Sequence, residues 1–96
     1  MSARHVGLVC AADSRLRGVC SVLLRHAGYR VIDVATAGEA RPILEAENVS
    51  LFVSGVLADP DNELRPLATA RDIPVLRLAP TLQIEELLKL FERLTP

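Results

Sequence analysis

The segment from Ser50 to Ala58 constrains the fold of this chain more than any other. It reads Ser-Leu-Phe-Val-Ser-Gly-Val-Leu-Ala and is apolar almost throughout. Such a run predicts a strand that is buried on both sides, as in a parallel sheet covered by helices. In open α/β sheets, chemistry gathers at the carboxyl ends of the strands. Gly55 stands at that end and offers no reactive side chain.

Length and charge exclude several classes of protein. The chain has 96 residues, half of them hydrophobic and 3% aromatic, with a formal net charge of −1. This length predicts one domain with a modest aliphatic core. Direct nucleic-acid binding is not expected, because no basic run is present. No apolar run reaches membrane-spanning length and the amino terminus does not read as a signal peptide, so we expect a cytoplasmic protein without membrane contact.

Four apolar segments predict strands that alternate with helices. The predicted strands are His5 to Cys10, Tyr29 to Val34, Leu51 to Ser54 and Ile73 to Leu78. The clearest helix starts at Asp13-Ser14 and ends at Gly28, a residue suited to the left-handed position after a helix. Strands that alternate with helices favour right-handed crossovers. We therefore predict one domain over residues 1–96, a flavodoxin-like open parallel sheet in the order 2-1-3-4 with helices on both faces.

Prolines and caps set the expected bounds of the later helices. Thr36 to Glu39 has the spacing of a capping box, and Pro42 predicts that the second helix is kinked or starts late. The turn at Asp59 to Asn62 precedes a third helix that Pro66 should shorten or bend. We expect Thr81 to cap the last helix. Its predicted inward face is Ile84, Leu87, Leu88, Phe91 and Leu94, with Leu82 and Leu90 outside that face.

Several segments resemble bacterial response-regulator receiver domains. The resemblance rests on order and spacing across nearly the whole chain. Its motifs are Leu24 to Val31, Ala35 to Ala40, Ile43-Leu44-Glu45, Ile73 to Leu76, and Ile84 to Leu88. In that family an aspartate accepts a phosphoryl group from a partner histidine, with help from a divalent cation, an acidic pair, a hydroxyl residue and a lysine.

Matching motif to motif, the resemblance implies that the phosphorylation site has lost its reactive groups. The acidic pair falls on Ala11 and Ala12, the phosphate-accepting position on Gly55, and the hydroxyl position on Ala79. The lysine would follow a fifth strand, yet the fourth strand runs almost directly into the last helix. We therefore expect a truncated pseudo-receiver that is not an enzyme, with no phosphoacceptor, no catalytic residue, no metal and no cofactor.

Other carboxylates offer only a weak case for a rebuilt metal site. Asp13, Asp59 and Asp61 could approach the same edge of the sheet. Helix-cap and turn roles explain all three, so we favour those roles over cation binding.

An enzymatic alternative starts from Cys10. A thiolate at the end of the first strand, before a helix amino terminus, could accept a phosphoryl group, as in phosphotransferase IIB-like domains. The loop that follows has no glycine to curl around an anion, and Asp13 would repel phosphate. Cys20 lies on an apolar helical stripe. The competing interpretation is therefore that both cysteines are unreactive residues of the hydrophobic core.

With phosphoryl chemistry lost, surface contact is the function that we expect. Without a fifth strand, the fourth strand becomes a sheet edge with unpaired backbone groups, and Arg77 is a charge that could guard it. The candidate interface comprises Val75, Arg77, Leu82 and Leu90. The expected partner is another protein or a second copy in a homodimer, within signal transduction or transcription regulation.

Overall fold

The computed structural model describes residues 5–80 and 82–93. Within them the chain alternates strands and helices: β1 (Val6–Cys10), α1 (Ser14–His26), β2 (Arg30–Val34), α2 (Ala37–Ala46), β3 (Val49–Gly55), α3 (Arg65–Ala70), β4 (Val75–Leu78) and α4 (Ile84–Glu92). All neighbouring strands pair in parallel, in the order β2-β1-β3-β4. The predicted fold class and strand order are confirmed.

The helices cover both faces of the sheet, as predicted. Alternate side chains of β1 and β3 enter two separate clusters, because successive residues of a strand point to opposite faces. The cluster under α2 and α3 contains Leu8, Cys10, Ala40, Leu44, Phe52, Leu64 and Ala68. The cluster under α1 and α4 contains Val9, Cys20, Leu24, Val53, Leu78, Leu87 and Phe91. The central strands are therefore buried on both sides, which explains the apolar run that ends at Gly55.

Helix α1 has the bounds that the sequence predicts. The Asp13 Oδ1 accepts hydrogen bonds from the backbone N–H of Arg15 at 2.8 Å and of Leu16 at 3.4 Å. Gly28 has φ of 97°, a left-handed conformation that favours glycine, and it directly follows the cap residue Ala27. The Asp13 cap fixes the end of the β1–α1 loop, and Gly28 turns the chain from α1 toward β2.

The expectation that α2 starts late is wrong. The helix begins at Ala37, directly after Thr36, whose Oγ1 accepts a hydrogen bond from Glu39 N–H at 3.2 Å. The Thr36 hydroxyl in turn donates a hydrogen bond to Glu39 Oε1 at 3.1 Å. In a full capping box the Glu39 carboxylate would instead accept from the Thr36 backbone N–H. Pro42 lies inside the helix, where it removes one N–H donor; the helix nevertheless keeps its cap at Thr36 and buries Ala40 and Leu44.

Pro66 marks the start of α3. It occupies the first turn, where the missing N–H has no partner in the helix anyway. The helix ends after Ala70, where Asp72 takes φ of 56° and Ile73 N–H donates to Ala68 O at 2.9 Å. The short length of α3 therefore reflects this C-terminal turn as well as the proline.

The predicted inward face of α4 needs two corrections. Leu87 and Phe91 are buried as expected, but Leu88 is 41% exposed. Leu82 and Leu90, expected outside the face, are half-buried and pack against the cluster under α1 and α4. Thr81, Leu94 and the side chain of Ile84 lie outside the described residues. No helix in the described ranges is long and apolar enough to cross a membrane.

Candidate functional site

The carboxyl ends of β1 and β3 meet in the crevice that the strand order predicts. Gly55 and Ala11 are buried there, and Ala12 is exposed beside them. A Cβ placed on Gly55 would lie 3.4 Å from the Cys10 carbonyl oxygen and 3.6 Å from the Ala11 Cβ. The structure thus brings together the residues that the resemblance matched to the acidic pair and to the phosphate-accepting position.

The crevice is small and mostly apolar. Its volume is about 40 Å³, and Asp13 is the one carboxylate among the residues that line it. The carboxylate of Asp13 already caps α1. A divalent cation such as Mg²⁺ requires several oxygen ligands in a near-octahedral arrangement. The methyl groups of Ala11 and Ala12 and the hydrogen of Gly55 supply none, so these residues do not fit such a cation.

Asp59 serves the backbone, as the cap and turn interpretation predicted for it. Asp59 is only 3% exposed, and its two carboxylate oxygens accept hydrogen bonds from Glu63 N–H at 2.9 Å and Leu64 N–H at 3.0 Å. Asp61 is exposed in the same loop. Across residues 5–80 and 82–93, no group of three His, Cys, Asp or Glu side chains is arranged to hold a metal ion.

Ala79 does not line the small crevice, although its chain neighbours Leu78 and Pro80 do. It is exposed and lines a groove of about 400 Å³ between the start of α1 and the segment that leads into α4. Asp13 and Arg15 line the same groove, and Leu82 and Leu87 form part of its apolar wall. A methyl group at Ala79 offers no hydroxyl to this groove, so the groove holds no nucleophile from that position.

The Cys10 thiol is protected and not activated. Cys10 has no exposed surface, and burial is the main cause that raises its pKa from an ordinary 9.0 to about 11. The negative charges of Asp59 and Glu39 raise the pKa further. Burial alone raises the pKa of Cys20 to about 11. A nucleophilic thiol needs the opposite shift, toward the thiolate, so this environment disfavours Cys10 as a phosphoryl acceptor.

Ser54 carries a buried hydroxyl that sequence reasoning missed. It pairs with Cys10 across β1 and β3, has no exposed surface, and its Oγ has no hydrogen-bond partner among the described residues. A buried hydroxyl without a partner normally costs stability. The apolar neighbours of Ser54 in sequence gave no signal of this.

Arg77 is a structural clamp, a role that the sequence did not reveal. Its guanidinium donates from Nη1 to Asn62 Oδ1 at 2.9 Å, and from Nη2 to the carbonyl oxygens of Asp59 at 2.8 Å and Pro60 at 3.2 Å. The half-buried side chain thereby ties the loop after β3 to β4. Arg77 lies on the predicted interface strand, but its side chain is already engaged within the chain.

The outer edge of β4 presents backbone groups. Phe52 N–H donates to Pro74 O and Val56 N–H donates to Leu78 O, both at 3.0 Å. In a parallel ladder, alternate residues bond to the same neighbour, so the backbone groups of Val75 and Arg77 point away from β3. Within residues 5–80 and 82–93 no strand pairs with this edge.

Comparison with known proteins identifies the fold. No family model matches the sequence, and no curated protein does. The structure is similar to a CheY-like response regulator receiver domain protein from Methanospirillum hungatei JF-1, with a TM-score of 0.72 and 18% identity over 97% of this chain and 76% of that chain. A response regulator from Thermotoga maritima gives a TM-score of 0.70 and 18% identity over 95% of this chain and 78% of that chain.

A third similar structure bears on the chemistry of the fold. It is a response regulator from Burkholderia pseudomallei with a phosphorylated aspartic acid, a calcium ion and citrate, at a TM-score of 0.69 and 20% identity. The match covers 92% of this chain but only 54% of that one. Together the three structures show that the chain has the receiver-domain fold, in agreement with the resemblance in its motifs.

Proposed function

We propose that this chain is a phosphorylation-independent receiver-like module that acts in signal transduction by protein contact. The observation that carries the proposal is the proximity of Ala11 and Gly55 at the carboxyl ends of β1 and β3, where Asp13 is the one carboxylate among the residues that line the crevice. Acyl-phosphate formation needs a carboxylate nucleophile and charge neutralisation around the moving phosphoryl group. Neither requirement is met by alanine and glycine.

The surface that we propose for partner contact is the outer edge of β4 with the adjoining α4. The outward backbone groups of Val75 and Arg77 can pair with an added strand of another protein, a mode known as β-augmentation. Leu82 and Leu90 are half-buried and pack against the hydrophobic cluster under α1 and α4. A regulatory role in a larger cytoplasmic signalling or transcription protein fits this mode of action.

The phosphotransferase alternative is weaker. It requires a reactive Cys10 thiolate, whereas burial raises the pKa of this thiol to about 11. A buried thiol with a raised pKa is inert toward phosphoryl transfer near neutral pH.

Intact-mass measurement tests the proposal. The folded chain is incubated with a small-molecule phosphodonor and Mg²⁺, beside a receiver domain that retains its aspartates as a positive control. We expect the control to gain the mass of one phosphoryl group and this chain to gain none. A labile phosphoryl adduct on the folded chain, at Asp13, Cys10 or any other residue, would refute the proposal.

A further inference from the structure

Two of the most exposed large apolar side chains lie on one layer of the protein. Among the described residues, Val22 of α1 is 62% exposed and Leu88 of α4 is 41% exposed. The two helices contact each other and cover the same face of the sheet. Leu57, which is 65% exposed, lies instead at the crevice. The helical layer therefore carries exposed apolar surface on both of its helices.

The apolar surface on α1 is continuous and shallow. Gly18, Val19, Val22 and Leu23 line an open depression that is flanked by Ser14 and Arg15. Apart from its chain neighbours and the nearby backbone of α1 itself, no heavy atom lies within 4 Å of the position that a Cβ on Gly18 would take. A partner helix can therefore approach the backbone of α1 closely at this point.

The two helices carry opposite charge. Helix α1 contains Arg15, Arg17, Arg25 and His26 and no acidic residue. Helix α4 contains Glu85, Glu86 and Glu92 against the single base Lys89. Arg15, Arg25, Glu85 and Glu86 are exposed. A basic helix and an acidic helix lie side by side on one apolar layer, which makes the layer complementary to itself.

We propose that a second copy of this chain packs on this layer, with α1 of each copy against α4 of the other. This arrangement follows when the two-fold axis runs parallel to the helices, so that basic α1 faces acidic α4 twice. An axis perpendicular to the helices, in the same interface plane, would place α1 against α1 and α4 against α4. Like charges would then oppose each other, so charge selects the parallel axis.

The size of the layer of α1 and α4 indicates how strongly two copies should associate. Thirteen residues make α1 about 20 Å long and nine make α4 about 14 Å long, at 1.5 Å per residue. Such a layer lies at the small end of specific interfaces, so we expect a weak, transient dimer. Salt screens exposed charges, so the dimer weakens as ionic strength rises.

This inference rests on the proposed function, since it names a second copy as one partner of a module that works by contact. The two can fail separately. A phosphoryl adduct would overturn the proposed function and leave a dimer intact, whereas the dimer is tested by size alone.

Sedimentation over a range of protein concentrations, at low and high salt, tests the dimer. We expect the wild-type chain to shift from monomer to dimer as its concentration rises. Val22→Glu and Leu88→Glu should each weaken the dimer about tenfold or more, because each places a charge in the apolar centre. Leu57→Glu is the matched control, because Leu57 is off this layer and is 65% exposed, close to the 62% of Val22; it should leave dimerisation unchanged.

A charge exchange within one chain tests the orientation. Arg15→Glu with Arg25→Glu makes α1 acidic, and this variant should stay monomeric. Adding Glu85→Lys and Glu86→Lys to the same chain restores opposite charges between α1 and the α4 of the other copy, so dimerisation should return. All four positions are exposed, and circular dichroism verifies that each variant is folded. A wild-type chain that stays monomeric throughout, a dimer insensitive to Val22→Glu, or no recovery in the exchanged variant would overturn the proposal.

Discussion

Gly55 and Ala11 lie side by side, so that a Cβ on Gly55 would meet the Ala11 Cβ at 3.6 Å. This separation and the 3.4 Å to the Cys10 carbonyl oxygen are ordinary van der Waals contacts. The backbone at Gly55 therefore has room for a Cβ atom. The ends of β1 and β3 are in place, but their residues Ala11, Ala12 and Gly55 carry no carboxylate for phosphoryl chemistry.

Restoring carboxylates should create a cation site. We expect the triple variant Ala11→Asp, Ala12→Asp, Gly55→Asp to gain stability in Mg²⁺, by about 2.7 kcal/mol when the cation is at 100 times its dissociation constant. The wild-type chain should not respond. Thermal melts with and without Mg²⁺ measure this, and the triple variant to asparagine is the matched neutral control. A folded aspartate variant that ignores Mg²⁺ would show that these three positions do not converge as the resemblance implies.

The buried thiols should make folding stability fall at high pH. Burial raises the pKa of Cys10 and Cys20 from 9.0 to about 11, so the folded state holds their protons more tightly than the unfolded state. Their contribution is complete below pH 9 and is lost as the pH rises toward 11. The loss should be about 2 to 3 kcal/mol for each thiol.

Urea titrations at about pH 7.5, 9.5 and 10.5 measure how the free energy of unfolding changes with pH across that window. The double variant Cys10→Ala, Cys20→Ala should show a flatter slope, although it loses packing at every pH. Equal slopes for the variant and the wild type would mean that the thiols titrate normally.

Removing the Ser54 hydroxyl should stabilise the protein. Its Oγ is buried without a partner, and such a group costs about 1 to 3 kcal/mol. We expect Ser54→Ala to raise the free energy of unfolding by about 1 kcal/mol. Ser21→Ala is the contrasting control, because the buried Ser21 hydroxyl lies 2.9 Å from Arg17 O and 3.0 Å from Asp33 Oδ2. Ser21→Ala should lower the unfolding free energy, and a loss of stability in both variants would contradict the assignment.

Replacing Arg77 should loosen the loop after β3. Arg77→Met removes three donated hydrogen bonds and keeps the aliphatic stem, so we expect a loss of about 1 to 3 kcal/mol in chemical denaturation. The stability of Arg77→Lys should lie between that of the wild type and that of Arg77→Met, because a single ammonium group cannot reach all three acceptors. Arg65→Met, at an exposed arginine of α3, should change stability by less than about 0.5 kcal/mol. An equal loss of stability in Arg77→Met and Arg65→Met would contradict the role of Arg77 as a clamp.

The sheet order could be predicted because it depends on local signals. The apolar run before Gly55 identifies a strand buried on both sides, and Asp13 and Gly28 bound the first helix by cap chemistry that acts within a few residues. Right-handed crossovers then leave few arrangements of four strands.

The misassigned leucines depended on neighbours that are remote in sequence. Leu87, Leu88 and Leu90 all fit an apolar stripe on a short helix, and only the shape of the facing sheet decides that Leu88 points outward. From the sequence, Arg77 is likewise predicted to be a charge on an edge strand. Its hydrogen bonds to Asp59 and Asn62 depend on a loop that is remote in sequence. We expected α2 to start late because we overestimated the effect of the one N–H donor that is missing at Pro42.

The central claim is that the crevice at Gly55 holds no phosphoryl group and no cation. Backbone amide spectra recorded during titration with Mg²⁺, and then with Mg²⁺ and beryllofluoride as a phosphoryl mimic, test it most directly. We expect the amide signals of Ala11, Ala12 and Gly55 to stay in place throughout. Saturable shifts of these signals would contradict the claim.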